Sequence, residues 1–85
     1  MSKCDKLLEK AKNSTSNLSF TDACYLAECH GFEYKRTTGS HFIYEHPNLL
    51  AEHNRNLNFQ NVKGRAKPYQ IRQLLKAIEF LQYEE

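Results

Sequence analysis

The apolar spacing of this 85-residue chain changes period twice, and that change limits its fold more than any other feature. Phe20, Ala23, Cys24 and Ala27 recur at the three-four spacing of a helix face, with Leu26 alongside. From Phe32 the spacing becomes two, and after Pro68 it returns to three and four through Ile71, Leu74, Leu75, Ile78 and Leu81. A three-four stripe buries one side of a helix, whereas strict alternation buries one face of a strand. The chain must therefore place strands between helices, which is an α+β arrangement.

The boundaries follow from local chemistry. Cys4, Leu7, Leu8 and Ala11 predict a short first helix over about residues 3–12, closed by the polar run Asn13-Ser14-Thr15-Ser16-Asn17. Ser19 followed by Asp22 is a capping arrangement with an acid in the first turn, so a second helix is expected over about 20–30. Gly31 stands where a left-handed residue commonly ends a helix. Phe32, Tyr34 and Arg36 alternate with Glu33 and Lys35, and after Thr37-Thr38-Gly39 the run Ser40, Phe42, Tyr44 alternates with His41, Ile43 and Glu45. Two such runs around a glycine turn read as a β-hairpin. Leu57, Phe59 and Val62 mark a third strand. Pro68 suits the first turn of a last helix over about 68–82, where its missing N–H leaves nothing unpaired. The expected order is α-α-β-β-β-α, a three-stranded antiparallel sheet with helices on one face and water on the other.

A chain of this length builds one domain, with a core over 19–82 and an extra N-terminal helix and linker over 1–18. Too small to enclose a deep cavity, it suits a polymer laid across an open surface. No apolar run approaches the roughly 20 residues of a membrane helix. The opening Met1-Ser2-Lys3-Cys4-Asp5 lacks the apolar core of a secretory signal, so a cytoplasmic protein with no membrane association is expected. Three cysteines without tight spacing make a poor disulfide framework, and Cys24 and Cys29 are expected to be reduced, small core residues.

Charge is distributed unevenly. Over 1–31, Lys3, Lys6, Lys10 and Lys12 balance Asp5, Glu9, Asp22 and Glu28. Over 32–76, eight cations (Lys35, Arg36, Arg55, Lys63, Arg65, Lys67, Arg72, Lys76) face three acids (Glu33, Glu45, Glu52), before Glu79, Glu84 and Glu85 near the end. A local excess of positive charge attracts polyanions, although a solvated surface accounts for it equally well.

Three groups of residues could carry chemistry. Gly39-Ser40-His41 puts an imidazole at the start of a strand, where it could take the proton of a ribose 2′-hydroxyl or protonate a leaving 5′-oxygen; the plain alternative is a surface histidine. Lys63-Gly64-Arg65-Ala66-Lys67 could follow a phosphate backbone into the positive end of the last helix, or be an ordinary loop. His30, His41, His46 and His53 with the cysteines invite a metal, but Cys24 and Cys29 would point about 140° apart on a helix, so no metal and no cofactor is expected. Ser40 faces away from His41 on a strand and has no positioned base, so it is read as a phosphate or turn contact rather than a nucleophile.

The run Gly31-Phe32-Glu33-Tyr34-Lys35-Arg36, then Gly39-Ser40-His41, resembles the G-F…G-S-H core of the HicA family of toxins. Phe42-Ile43-Tyr44-Glu45-His46-Pro47, Leu57-Asn58-Phe59-Gln60 and Gly64-Arg65-Ala66-Lys67-Pro68-Tyr69-Gln70 extend the likeness over about residues 19–80. The resemblance implies a double-stranded-RNA-binding-domain-like architecture. It also implies cleavage of mRNA without a metal, with His41 as the catalytic residue, and a HicB-like antitoxin as partner. The family's role passes to His41 alone; from the basic run, Lys35, Arg36, Lys63, Arg65 and Lys67 are expected to hold RNA phosphates, with Ser40 as a further phosphate or turn contact and His46 and Tyr44 as candidates for a second acid or base. The first helix and its linker are extra to the family pattern. A non-catalytic RNA-binding module and a pure protein-interaction subunit are the competing readings.

Overall fold

The computed structural model describes residues 2–83; Met1, Glu84 and Glu85 lie outside the described residues. The chain runs α1 (Lys3–Asn13), α2 (Phe20–Cys29), β1 (Glu33–Thr38), β2 (His41–Glu45), a 3-10 turn (Ala51–His53), β3 (Asn56–Gln60) and α3 (Pro68–Tyr83). The strands form one antiparallel sheet in the order β1-β2-β3. This is the α-α-β-β-β-α order that the change of period requires.

The caps act as their residue types dictate. Ser2 Oγ accepts from Asp5 N at 3.2 Å, and Ser19 Oγ from Asp22 N at 3.0 Å, each satisfying one otherwise free donor of a first turn. Helix α2 ends in a Schellman arrangement. Gly31 N–H returns to the Glu28 carbonyl and Phe32 N–H to the Ala27 carbonyl, with Gly31 at φ +93°. A Cβ on Gly31 would stand 2.8 Å from His46 Nε2, so glycine is required there by close approach as well as by conformation.

The sheet has one dry and one wet face. Phe42 and Tyr44 of β2 pair with Phe59 and Leu57 of β3, and Tyr44, Leu57 and Phe59 are buried under the helices with Leu18, Leu26, Ile71, Leu74 and Ile78. The alternate residues (His41, Ile43 and Glu45 opposite Gln60, Asn58 and Asn56) make up the other face. On β1 the simple alternation fails. A bulge between Tyr34 and Arg36 sets Tyr34 opposite Tyr44 but Arg36 opposite Ile43, so Tyr34 and Arg36 occupy different faces. Tyr34 Oη and Thr37 Oγ1, 2.7 Å apart, span the bulge on the dry side. The third strand stops at Gln60, short of Val62, which instead makes an isolated bridge with Arg65.

The expectation of reduced cysteines is overturned for two of the three. Cys4 of α1 and Cys29 of α2 form a disulfide with their Cα atoms 6.0 Å apart, and only Cys24 is a free, buried thiol. Twenty-five residues separate the pair, so no local motif announces it; the packing of α1 against α2 brings the two sulfurs together. Leu7 and Ala11 bury the inner face of α1 in the same core. Closing a loop of that length removes about 3.5 kcal/mol of unfolded-chain entropy. Reduction, or Cys4→Ser, should therefore lower the urea midpoint by an amount equivalent to about 2–4 kcal/mol. Coincident curves with and without reductant would show that packing alone holds α1.

Candidate active site

His41 opens β2 directly after the turn at Gly39, whose φ of +61° lets the hairpin reverse. Register places it opposite Thr38 of β1 and Gln60 of β3, on the wet face and partly exposed. Its Nδ1 lies 2.7 Å from Asn58 Oδ1. Asn58 stands two residues before Gln60, on the same face of β3 and diagonal to His41. A carboxamide oxygen only accepts, so Nδ1 carries the proton and donates it to Asn58. That leaves the lone pair on Nε2. The ring is thus held in the tautomer that can act as a base through Nε2.

The neighbouring turn is tied down as well. Gln60 Nε2 donates to Ser40 Oγ at 3.1 Å, and Gln60 N donates to Gln70 Oε1 of α3 at 3.0 Å. One glutamine thereby joins the His41 turn, the end of β3 and the start of α3. Ser40 remains able to donate its own hydroxyl proton.

The cations expected around His41 divide into two groups. Arg36 shares the wet face through its pairing with Ile43, and it makes no ion pair among the described residues. General strand geometry puts its Cα diagonal to that of His41 at about 7–8 Å. Lys35 occupies the bulge and bridges Glu33 at 3.1 Å, which spends part of its charge locally. Arg55 is likewise paired, with Glu45 at 3.1 Å.

The second group sits past β3. Val62 and Arg65 exchange both backbone hydrogen bonds across Lys63 (φ +53°) and Gly64 (φ +85°), a two-residue turn with both central residues left-handed. Phe20 N–H donates to the Gly64 carbonyl and Ala66 N–H to the Leu18 carbonyl, pinning this turn to the start of α2. Arg65 Nη1 consequently points toward the linker, 3.4 Å from Ser16 O and 3.5 Å from Asn17 Oδ1, rather than toward His41. Lys67 stands at the start of α3, where its carbonyl accepts from Gln70 and Ile71 N–H.

No protein-family model, curated protein or solved structure matches this chain. Its chemistry has to be read from the residues themselves. The other histidines do not join His41. His46 is buried, its Nε2 donating to His30 O at 2.9 Å and its Nδ1 accepting from Asn48 N at 3.1 Å, so both ring nitrogens are engaged. His53 is stacked on Phe80 at 3.8 Å. Burial pushes the His30 pKa below its ordinary value of 6.5, against the pull of Asp5. Among the described residues no group of three or more His, Cys, Asp or Glu side chains is placed to hold a metal ion. Tyr44 lies on the dry face, 6 % exposed, with burial and then the Cys24 thiol raising its pKa well above the usual phenol value. Burial raises the Cys24 pKa too, which disfavours a thiolate nucleophile. His46 and Tyr44 are therefore structural, and neither supplies His41 with a second acid or base.

Asn58 is the residue the sequence reading missed. Alternation of Leu57 and Phe59 places it on the outward side of β3, but only the strand register brings it to His41.

Proposed function

We propose that this chain is an endoribonuclease of the HicA toxin type, cleaving mRNA without a metal and held in check by a HicB-like antitoxin. The observation that carries the reading is the Asn58–His41 hydrogen bond, which leaves the Nε2 lone pair free on the wet face beside Arg36, a cation with no ion pair among the described residues. The G-F…G-S-H resemblance supplies the family, the double-stranded-RNA-binding-domain-like label and the partner. In this mechanism Nε2 takes the proton of a ribose 2′-hydroxyl. The 2′-oxygen attacks the adjacent phosphorus, and the bond from phosphorus to the 5′-oxygen breaks. That oxygen leaves with a proton returned by the imidazolium or by water, giving a 2′,3′-cyclic phosphate and a 5′-hydroxyl. Arg36 faces the phosphate, Ser40 can donate to a non-bridging oxygen, and positioning the backbone in line supplies much of the rate.

One observation favours the alternative of a non-catalytic RNA-binding module: His46 and Tyr44 are both withdrawn from the site, so a single imidazole must serve both proton transfers. A substrate test separates the two readings. RNA should be cut to cyclic-phosphate ends in the presence of a strong chelator, and a single 2′-deoxy substitution at the cut site should abolish that cut. Cleavage of the deoxy substrate would rule out the 2′-hydroxyl mechanism, and RNA bound but never cut would favour the module.

A further inference from the structure

The leading helix α1 and its linker lie outside the family resemblance, yet they complete a charged cleft. The cleft, of about 320 Å³, opens between Lys10 of α1, Asn17 of the linker, Ser19 and Asp22 at the start of α2, and Lys63 and Arg65 of the tight turn. Three cations face one carboxylate there, and none of the four makes an ion pair among the described residues. Its walls are fixed before any ligand arrives. The Cys4–Cys29 bond and the buried Leu7 and Ala11 hold the helix that carries Lys10. The Val62–Arg65 exchange and the bonds to Leu18 and Phe20 hold the turn that carries Lys63 and Arg65. Arg65 Nη1 makes only long contacts, at 3.4 and 3.5 Å, leaving donors of its guanidinium for an anion.

The turn that carries Lys63 follows directly on β3, the strand paired with His41. Gln60, opposite His41, is three residues before Lys63. Three residues span at most about 10 Å, about three nucleotide rises of 3.4 Å. We propose that this cleft binds a backbone phosphate of the RNA strand a few nucleotides from the one at His41, with Lys10 of the extra helix as a phosphate ligand alongside Lys63 and Arg65. The inference takes the identity of the polyanion from the ribonuclease reading.

The test measures binding apart from cleavage. In a His41→Ala background the RNA stays intact, and binding of a labelled single-stranded RNA of about 12 nucleotides is followed between about 50 and 200 mM salt. Each single-strand phosphate contact contributes about 0.7 to the slope of log affinity against log salt. Lys10→Gln with Lys63→Gln removes two of the three cations on that phosphate and should therefore lower the slope by up to about 0.7 and weaken binding by up to about 5-fold near 0.1 M salt. Neither lysine side chain makes a hydrogen bond or ion pair among the described residues, so the variant should keep the parent melting curve. Asp22→Asn, which removes the one carboxylate, should tighten binding. Lys6→Gln with Lys76→Gln, the same charge change away from the cleft, should move the slope less.

An unchanged slope in the first pair, an equal loss in the control pair, or no RNA binding at low salt would each overturn the proposal. A slope that falls as expected in a protein that never cuts RNA would uphold the cleft while refuting the nuclease.

Discussion

Replacing His41 by Ala should reduce RNA cleavage by about 10²–10⁴-fold, the range that a positioned general acid–base contributes. The substitution removes the only imidazole on the wet face of the sheet among the described residues, and neither His46 nor Tyr44 can take its place. His46 has both nitrogens engaged, and Tyr44 is buried on the other face with its proton held more firmly than usual. Folding should barely change. His41 is partly exposed, and its one side-chain bond is to an exposed asparagine, so the stability cost should stay within about 1 kcal/mol. Single-turnover cleavage with matched denaturant curves makes the measurement. Full activity in the variant would remove the catalytic assignment, and a large loss of stability would mean that the activity assay reports unfolding.

Replacing Phe59 by Ala should produce the largest stability loss, about 3–5 kcal/mol. Phe59 is fully buried in β3, its ring 5.7 Å from that of Tyr44 and its backbone opposite Phe42. A domain of this size has about 4–13 kcal/mol in total, from about 0.05–0.15 kcal/mol per residue. The variant should retain a small part of that margin, or none. The two flanking residues, Asn58 and Gln60, bond to His41 and Ser40. Loss of packing beneath β3 therefore also loosens the site, and activity should fall with the folded fraction. Urea unfolding at constant slope reads the effect. A loss below about 1 kcal/mol would mean that the dry face is not packed as described.

Much of the backbone was legible along the chain because its causes are local. Ser19 and Asp22 announced the start of α2, and Gly31 its end, through hydrogen bonds made within a few residues. The Gly39 turn and the alternation in β2 fixed which side of that strand His41 takes. The alternation in β1 misled, since the bulge that moves Arg36 to the wet face depends on pairing with β2. The basic run 63–67 was legible as charge and not as direction. Its tight turn is pinned to Leu18 and Phe20, more than forty residues earlier, and that sends Arg65 toward the linker.

By itself the sequence determined the element order, the dry face of the central strand and the single histidine placed at a hairpin's edge. Each of these follows from spacing, caps and turns that act over a few residues. The tertiary structure alone decided that Asn58 holds His41, that His46 is locked, that Cys4 meets Cys29, and that Lys10 stands across a cleft from Lys63. Those pairings join residues brought together by strand register and helix packing, which depend on how the whole core closes and leave no periodic trace in the chain.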